Sequence, residues 1–241
     1  MKGPSKMKTL STALTLLILA TAPACPGEAV DWDELVERGG VYYNKSSDTP
    51  FTGEVMGQRE RGQFKDGKKA GPWASYWSNG QLRGKGDYKD GNREGSWISY
   101  QSNGHLWKEG GYKEGERDGP WIIYQTNDQL WKKGDYKGGE EEGAWIVYHE
   151  NGQLWMGGSY KKGKAEGPWV YYHDNGQLWK KGDYKRGEEE GPWAVYHGNG
   201  QLWMRGGYKD GVLDGSVVVY NKNGQLQEQV TGTYKDGIKI D

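Results

Sequence analysis

Three of the four histidines stand at equivalent places in the sequence and suggest a metal-binding ladder. His149, His173 and His197 lie 24 residues apart, each directly after a tyrosine. Imidazole binds zinc through Zn–N bonds of ~2.0–2.1 Å, whereas equivalent residues of successive β-hairpins lie two strands apart, about 9.6 Å. These side chains would therefore not share one ion without distortion. Since Gln101 and Gln125 occupy the same place, we expect a polar surface position and no metal site.

Two runs of glutamate raise the question of calcium binding. Glu140 to Glu142 and Glu188 to Glu190 are carboxylate triplets, and carboxylate oxygens are common calcium ligands. Both triplets stand between glycines, where we expect turns that connect hairpins, and both lack the alternating acidic spacing of calcium-binding loops. We favour a solvated, charged turn over a calcium site.

Motifs for catalysis are missing from the sequence. It contains no phosphate-binding loop, no His-Glu-x-x-His zinc motif and no Gly-x-Ser-x-Gly nucleophile elbow. A catalytic site needs one asymmetric set of groups, but the repeated segments of this chain give no unit a unique nucleophile and base. We expect no enzymatic activity, no catalytic residue and no cofactor. The 32 basic and 33 acidic residues form no basic cluster, so we expect no nucleic-acid partner.

Tryptophan and tyrosine are the residue types best suited to form a binding surface here. The chain has 13 Trp and 17 Tyr but only 2 Phe. One interpretation is structural, with the rings holding hairpins together. The other is that rings on one face bind a glycan, peptidoglycan or a partner protein. Both stay open, and the candidates are Trp107, Trp131, Trp155, Trp179, Trp203, Tyr100, Tyr124, Tyr148, Tyr172 and Tyr196.

The elements that would position these residues recur every 24 residues. One column contains Trp73, Trp97, Trp121, Trp145, Trp169 and Trp193, with Val217 in the seventh place. A period of this length indicates an array whose units bury their apolar faces on one another. The mean hydropathy is -1.01, aliphatic residues are sparse, and no segment shows helical periodicity. Stability should come from aromatic ladders rather than from a conventional core.

Each unit predicts one β-hairpin. Asn-Gly between strand-forming residues is the strongest cue for a two-residue type I′ turn, and Asn127-Asp128 is the one weaker version. Such a turn at Asn103-Gly104 pairs Tyr100 with Trp107 and Trp97 with Gly110, and it places Trp107 on the face opposite Trp97. We expect the Trp97 indole to cover the bare backbone of Gly110. The glycines and charged residues before each first Trp predict an exposed loop.

The predicted fold class is all-β, an elongated antiparallel β-hairpin array in a single twisted sheet with atypical caps. Seven hairpins give fourteen strands, about 67 Å of sheet. The expected organisation is a signal peptide at 1–24, a linker with a divergent capping repeat at 25–62, regular repeats at 63–214 and a C-terminal capping repeat at 215–241. Within the second segment, Asp31 to Arg38 predict a short helix that ends at Gly39 and Gly40.

Residues 1–24 have the pattern of a secretory signal, with lysines before an apolar run from Leu10 to Ala20 and a small-residue cleavage site. Cys25, the only cysteine, follows directly. It is either a leftover thiol after ordinary cleavage or the lipidation site of a bacterial lipoprotein. We expect an exported protein, periplasmic or on the outer surface, and membrane-anchored if Cys25 is lipidated.

The repeated motif GPWxxYxxNGQLxxxGxYKxG in residues 64–237 resembles the MORN-repeat variant of bacterial YwqK-family proteins. The opening segment GVYYNKSSDTPFTGEV looks like that family's opening, so the resemblance covers residues 39–237. It implies a hairpin array that acts as an interaction scaffold or a membrane-associated module. The family is commonly labelled as antitoxin components of toxin–antitoxin systems, which implies a toxin as the protein partner. The rival hypothesis is a cell-envelope glycan binder.

Overall fold

A computed structural model describes residues 29–241, which are mostly β-strand. A single 3₁₀ turn, Trp32–Glu34, precedes the first strand. The nineteen strands are β1 (Leu35–Arg38), β2 (Val41–Asn44), β3 (Gly53–Met56), β4 (Glu60–Lys65), β5 (Lys68–Tyr76), β6 (Leu82–Lys89), β7 (Asn92–Tyr100), β8 (Leu106–Lys113), β9 (Glu116–Tyr124), β10 (Leu130–Lys137), β11 (Glu140–Tyr148), β12 (Leu154–Lys161), β13 (Lys164–Tyr172), β14 (Leu178–Lys185), β15 (Glu188–Tyr196), β16 (Leu202–Lys209), β17 (Val212–Val219), β18 (Gly232–Lys235) and β19 (Ile238–Lys239).

Strands β3 to β19 form one long antiparallel sheet in which each strand pairs with its neighbours in the chain. The sheet is open, since no ladder between residues 29 and 241 joins β19 to β3. Strands β1 and β2 form a separate two-stranded sheet. The predicted fold class is confirmed. The sheet has seventeen strands rather than fourteen because β3, β4 and β19 extend it beyond the seven regular hairpins, to roughly 82 Å at ~4.8 Å per strand.

The tight two-residue turns lie between the repeat units and not at Asn-Gly. Asp90 and Gly91 have φ of 51° and 86° and connect the paired residues Lys89 and Asn92. Positive φ at both positions defines a type I′ turn. The next strand begins directly after this turn, so the charged segment before each first Trp is strand rather than the exposed loop we predicted.

Asn103-Gly104 instead belongs to a three-residue loop, so the predicted type I′ turn there is wrong. Only Gly104 has positive φ, at 87°. The Gly104 N–H donates to the Gln101 carbonyl, and the Gln101 N–H donates to the His105 carbonyl. The Asn103 side chain accepts the His105 N–H at 3.1 Å. This local hydrogen bond holds Asn103 at negative φ, as asparagine often does in ordinary turns.

A β-bulge in each hairpin compensates for the odd loop length. Tyr100 pairs with Leu106, and Ser99 pairs with Lys108, so Trp107 is an extra residue in its strand. The predicted Tyr100–Trp107 pair is therefore wrong. Beyond the bulge the register returns to the predicted one, and Trp97 lies opposite Gly110. The two deviations, each of one residue, cancel.

The predicted helix at residues 31–38 is also wrong. The Asp31 carboxylate does cap a turn by accepting the Asp33 N–H, but the turn ends at Glu34. Gly39 and Gly40 have φ of 61° and 81°, and they close a hairpin that pairs Leu35–Arg38 with Val41–Asn44. Two consecutive residues at positive φ favour this hairpin over a helix.

The predicted signal segment 1–24 and Cys25 lie outside the described residues. Between residues 29 and 241, no helix has the length and apolar character needed to cross a membrane. At the end of the array, Val217 takes the place of the first tryptophan and is buried opposite Gly206. The domain boundaries stay a prediction.

Candidate functional site

The first tryptophan of each unit lies flat on the backbone of the preceding strand. Trp145 is only 3% exposed. A Cβ added to Gly134 would overlap its ring, with Cγ of the indole only 2.6 Å away. The indole N–H donates to the Asp135 carbonyl at 3.1 Å. Each first tryptophan is thus fixed by one glycine and one carbonyl of the strand before it, an arrangement that recurs at Trp73, Trp97, Trp121, Trp169 and Trp193.

The glycine that Trp97 covers is Gly86, so our assignment to Gly110 is wrong. Lys85 pairs with Ile98 and Asp87 with Glu94, which leaves three residues of β7 opposite Gly86. Irregular pairing of this kind bends a strand and redirects its side chains. It turns Trp97 back onto β6, while Gly110 is covered by Trp121 of the next unit. Each indole therefore joins two repeat units rather than the two strands of one hairpin.

A continuous aromatic ladder results on this face of the sheet. From Trp73 to Tyr208, first tryptophans alternate with the closing tyrosines of the units, and neighbouring ring centroids are 5.0–6.2 Å apart. The rings meet edge to face, a geometry that their quadrupoles favour. For these rings the structural interpretation holds, and we call the side of the sheet that carries them the aromatic face.

The second tryptophans form an exposed row along the same face. Trp107, Trp131 and Trp203 are 43%, 42% and 44% exposed, and Trp155 and Trp179 are partly buried. We call these five residues the outer tryptophan row. They do not lie on the opposite face, as we had predicted for Trp107, because each is the extra residue of a bulge.

The position of Trp179 shows which face the outer row occupies. Its ring centroid lies 6.0 Å from that of Tyr171. Tyr171 in turn stacks on the first tryptophan of its unit, Trp169, at 6.0 Å and 26°. Trp107 and the first tryptophan Trp97 likewise line one cavity of about 220 Å³. Both tryptophan columns therefore belong to the aromatic face.

The candidate tyrosines lie on the other face. Side chains alternate between the two faces along β9, so Tyr124 points away from the face on which Trp121 and Ile123 are buried. Its hydroxyl donates to Glu109, at 3.5 Å, and burial together with that carboxylate raises the pKa of Tyr124. All five are partly buried, namely Tyr100, Tyr124, Tyr148, Tyr172 and Tyr196. Tyr124 nevertheless lines a cavity of about 340 Å³ together with Trp107 of the outer tryptophan row.

The histidines act as inter-repeat hydrogen-bond donors. Nε2 of His149 lies 2.9 Å from the Tyr172 carbonyl of the next unit, and His173 and His197 repeat this contact. Because a carbonyl only accepts, Nε2 carries the proton. Gln101 also donates to the next unit, but to the Gln125 carbonyl, one residue further along the strand end. The column is partly buried and structural, rather than a plain polar surface. Within residues 29–241, no group of three or more His, Cys, Asp or Glu side chains is placed to hold a metal ion.

The glutamate triplets open strands β11 and β15, so our placement of them in turns is wrong. Glu142 accepts the backbone N–H of Lys162, at 2.9 Å, in the following type I′ turn. Glu190 accepts the Asp210 N–H in the same manner. Each of these carboxylates therefore stabilises the turn of the next unit by accepting a backbone N–H from it.

A change of charge along the aromatic face was missed by the sequence analysis. Lys69, Arg93 and Arg117 lie 4.1, 4.6 and 4.6 Å above the ring centroids of Trp73, Trp97 and Trp121. In later units the equivalent residues are Glu141, Ala165 and Glu189. Comparing this column between repeats would have revealed the asymmetry. The N-terminal half of the face is cationic.

Comparison with known proteins identifies the repeat. Five segments match the family model described as MORN repeat variant, at residues 69–90, 93–114, 141–162, 165–186 and 213–236. The units at 117–138 and 189–210 fall outside these matches but form equivalent hairpins, β9–β10 and β15–β16. No curated protein matches the chain. The chain therefore carries the MORN repeat variant in five repeats, a repeat that commonly mediates interactions with proteins or membranes.

Proposed function

We propose that this protein is a non-enzymatic, exported scaffold that binds a protein partner through its aromatic face. The observation that carries the proposal is the outer tryptophan row, in which Trp107, Trp131 and Trp203 each leave more than 40% of their surface exposed. Clustered exposed apolar side chains mark interaction surfaces. Tryptophan is also among the residues that contribute most to protein interfaces.

The surroundings of the row support a protein partner. Lys108 lies 4.2 Å above the Trp107 ring, and Lys132 lies 5.2 Å above the Trp131 ring. Aromatic rings bordered by charged side chains resemble the apolar centre and polar rim of a protein interface. The first tryptophans, which hold the repeats together, are already buried. A partner that contacts the outer tryptophan row therefore does not have to disturb their packing.

The location and the partner class are proposed from the sequence. The signal-like segment 1–24 and Cys25 support export and a lipid anchor. The resemblance to YwqK-family proteins supports a toxin as the partner. The two together require an extracytoplasmic toxin, since an exported scaffold does not meet a cytoplasmic one.

Partner capture tests the scaffold. The full chain is used as bait in extracts of its host, and the captured protein is purified and tested for direct binding. We expect Trp107→Ala combined with Trp131→Ala to abolish binding, whereas Lys133→Ala, at an exposed site of the other face, leaves it unchanged. Binding that survives the double substitution with unaltered circular dichroism rules out the outer tryptophan row.

The intact mass of the membrane-fraction protein tests the location. A diacylglyceryl mass on Cys25 that disappears in Cys25→Ser supports the anchored scaffold. A mass beginning at Cys25 without lipid retains export but removes the anchor. An uncleaved Met1 form in the cytosol overturns export and restores a cytoplasmic antitoxin as the leading hypothesis.

A cell-envelope glycan binder is the second candidate, and the same exposed rings favour it. Glycan binding predicts quenching of tryptophan fluorescence by soluble wall fragments, abolished by Trp107→Ala or Trp131→Ala. Fragments that leave the fluorescence unchanged argue against this candidate.

A further inference from the structure

The cavity beside Trp107 exists because the first two regular repeats have small residues at places where later repeats have large ones. Gly84 stands where later units have Lys108, Lys132, Met156, Lys180 and Met204. Ser75 and Ser99 stand where later units have Ile123, Val147, Tyr171 and Val195. The cavity of about 220 Å³ beside Trp107 is lined by all three of these small residues. Arg83 replaces the outer tryptophan of its unit at the edge of this cavity.

The walls of the cavity carry an excess of positive charge. Four basic residues and one acidic residue line it. Lys69 is neutralised by Glu60 at 2.8 Å. Among the residues that the structure describes, Arg83, Arg93 and Lys108 have no ion-pair partner. Three cations therefore face one space without a carboxylate of their own.

The electrostatics around Lys108 indicate that this space favours an anion. Burial lowers the pKa of Lys108, and the nearby Arg117 and Arg93 guanidinium groups lower it further. Arg93 donates to the Tyr112 hydroxyl at 3.0 Å, which holds its guanidinium group over the Trp97 ring. An entering carboxylate would relieve this repulsion and accept charge-assisted hydrogen bonds.

We propose that this cavity binds an acidic side chain from an extended segment of the protein partner. The inference rests on the proposed function and names the chemistry of its partner. Guanidinium groups match the planar geometry of a carboxylate. The indoles of Trp97 and Trp107 and the backbone at Gly84 suit the methylene groups of a glutamate. A cavity of about 220 Å³ accommodates one such side chain.

Calorimetric titration of the full chain with a hexaglutamate peptide tests the proposal. We expect measurable binding that weakens with added salt, and no binding of hexaglutamine, which has a similar shape without charge. Lys108→Met should weaken binding at least tenfold. The substitution is compatible with folding, since Met156 and Met204 occupy the same column. Lys132→Met is the matched control, being the same change outside the cavity, and should alter the affinity less than twofold.

A second variant fills the cavity without changing charge. Ser99→Ile introduces the residue found at Ile123 in the next unit, and we expect it to weaken hexaglutamate binding at least tenfold. Equal binding by Ser99→Ile, Lys108→Met and the unaltered chain overturns the proposal. So does binding of glucuronate or inorganic phosphate as tight as that of hexaglutamate, which indicates a general anion site. Partner capture that depends on Trp107 while hexaglutamate fails to bind overturns this inference alone. Hexaglutamate binding without any captured partner counts against the proposed function instead.

Discussion

One methyl group added at Gly134 is expected to destabilise the array because it displaces the Trp145 indole. Gly134 lies in β10 and has no positive φ, so alanine is not strained at this backbone conformation. The added Cβ would lie 2.6 Å from Cγ of the indole and closer still to two other ring carbons. The ring must move by about 1 Å to reach ordinary contact distance. That shift breaks the 3.1 Å hydrogen bond from the indole N–H to the Asp135 carbonyl.

The magnitude follows from these contributions. Overpacking costs about 1–3 kcal/mol, and the lost hydrogen bond adds about 0.5–1.5 kcal/mol. Alanine also lowers the conformational entropy of the unfolded chain, which offsets ~0.4–1 kcal/mol of this destabilisation. We expect Gly134→Ala to lower the free energy of unfolding by about 0.5–4 kcal/mol. At about 2–4 °C per kcal/mol for a domain of this size, this corresponds to a Tm about 1–16 °C lower.

Urea and thermal unfolding followed by far-UV circular dichroism measure the effect. Gly157→Ala is the matched control, since a Cβ there meets only the Trp145 carbonyl oxygen at 3.7 Å. It should be neutral or slightly stabilising. Trp145→Val alone reproduces the natural pair Gly206 and Val217. In that background Gly134→Ala should cost less, since a Cβ at Gly206 comes no closer than 3.0 Å to Val217. If Gly134→Ala is as harmless as Gly157→Ala, the indole does not rest on the glycine backbone.

Other columns of the repeat give further expectations. His149→Gln should leave stability unchanged, because glutamines in this column also donate to a carbonyl of the next unit. His149→Leu removes the inter-repeat donor and should cost about 1–3 kcal/mol in urea unfolding. Burial and the Tyr184 hydroxyl raise the pKa of Tyr171 above the usual 10.0. The unfolded chain therefore loses the proton first, so stability is constant below about pH 10 and falls at higher pH. Tyr171→Phe should reduce that slope in alkaline unfolding by up to ~1.4 kcal/mol per pH unit. Asp90→Val, a β-branched residue at φ 51°, should cost about 1–3 kcal/mol, while Asp90→Gly should be tolerated in the same unfolding measurement.

The repeat period and the composition were sufficient to predict the hairpin array and the register of Trp97 against Gly110. They were not sufficient to locate the type I′ turns. Both Asn-Gly and Asp-Gly suit such a turn, and the outcome depends on the Asn103 side chain binding the His105 N–H. The bulge at Trp107 has no local signature, because an extra residue is recognisable only from the opposing strand. Because the bulge was not predicted, the outer tryptophan row was assigned to the wrong face of the sheet.

The two tryptophans of a unit differ in what the fold requires of them. The first is replaced only by Val217, which still fills the space over Gly206 and is buried. The second is replaced by Arg83 at one end of the array and by Gln227 at the other, and both of these polar side chains are exposed. Packing therefore does not require a ring at the second place. Five consecutive indoles stand there, exposed or only partly buried. The proposed contact with a partner along the aromatic face would account for them.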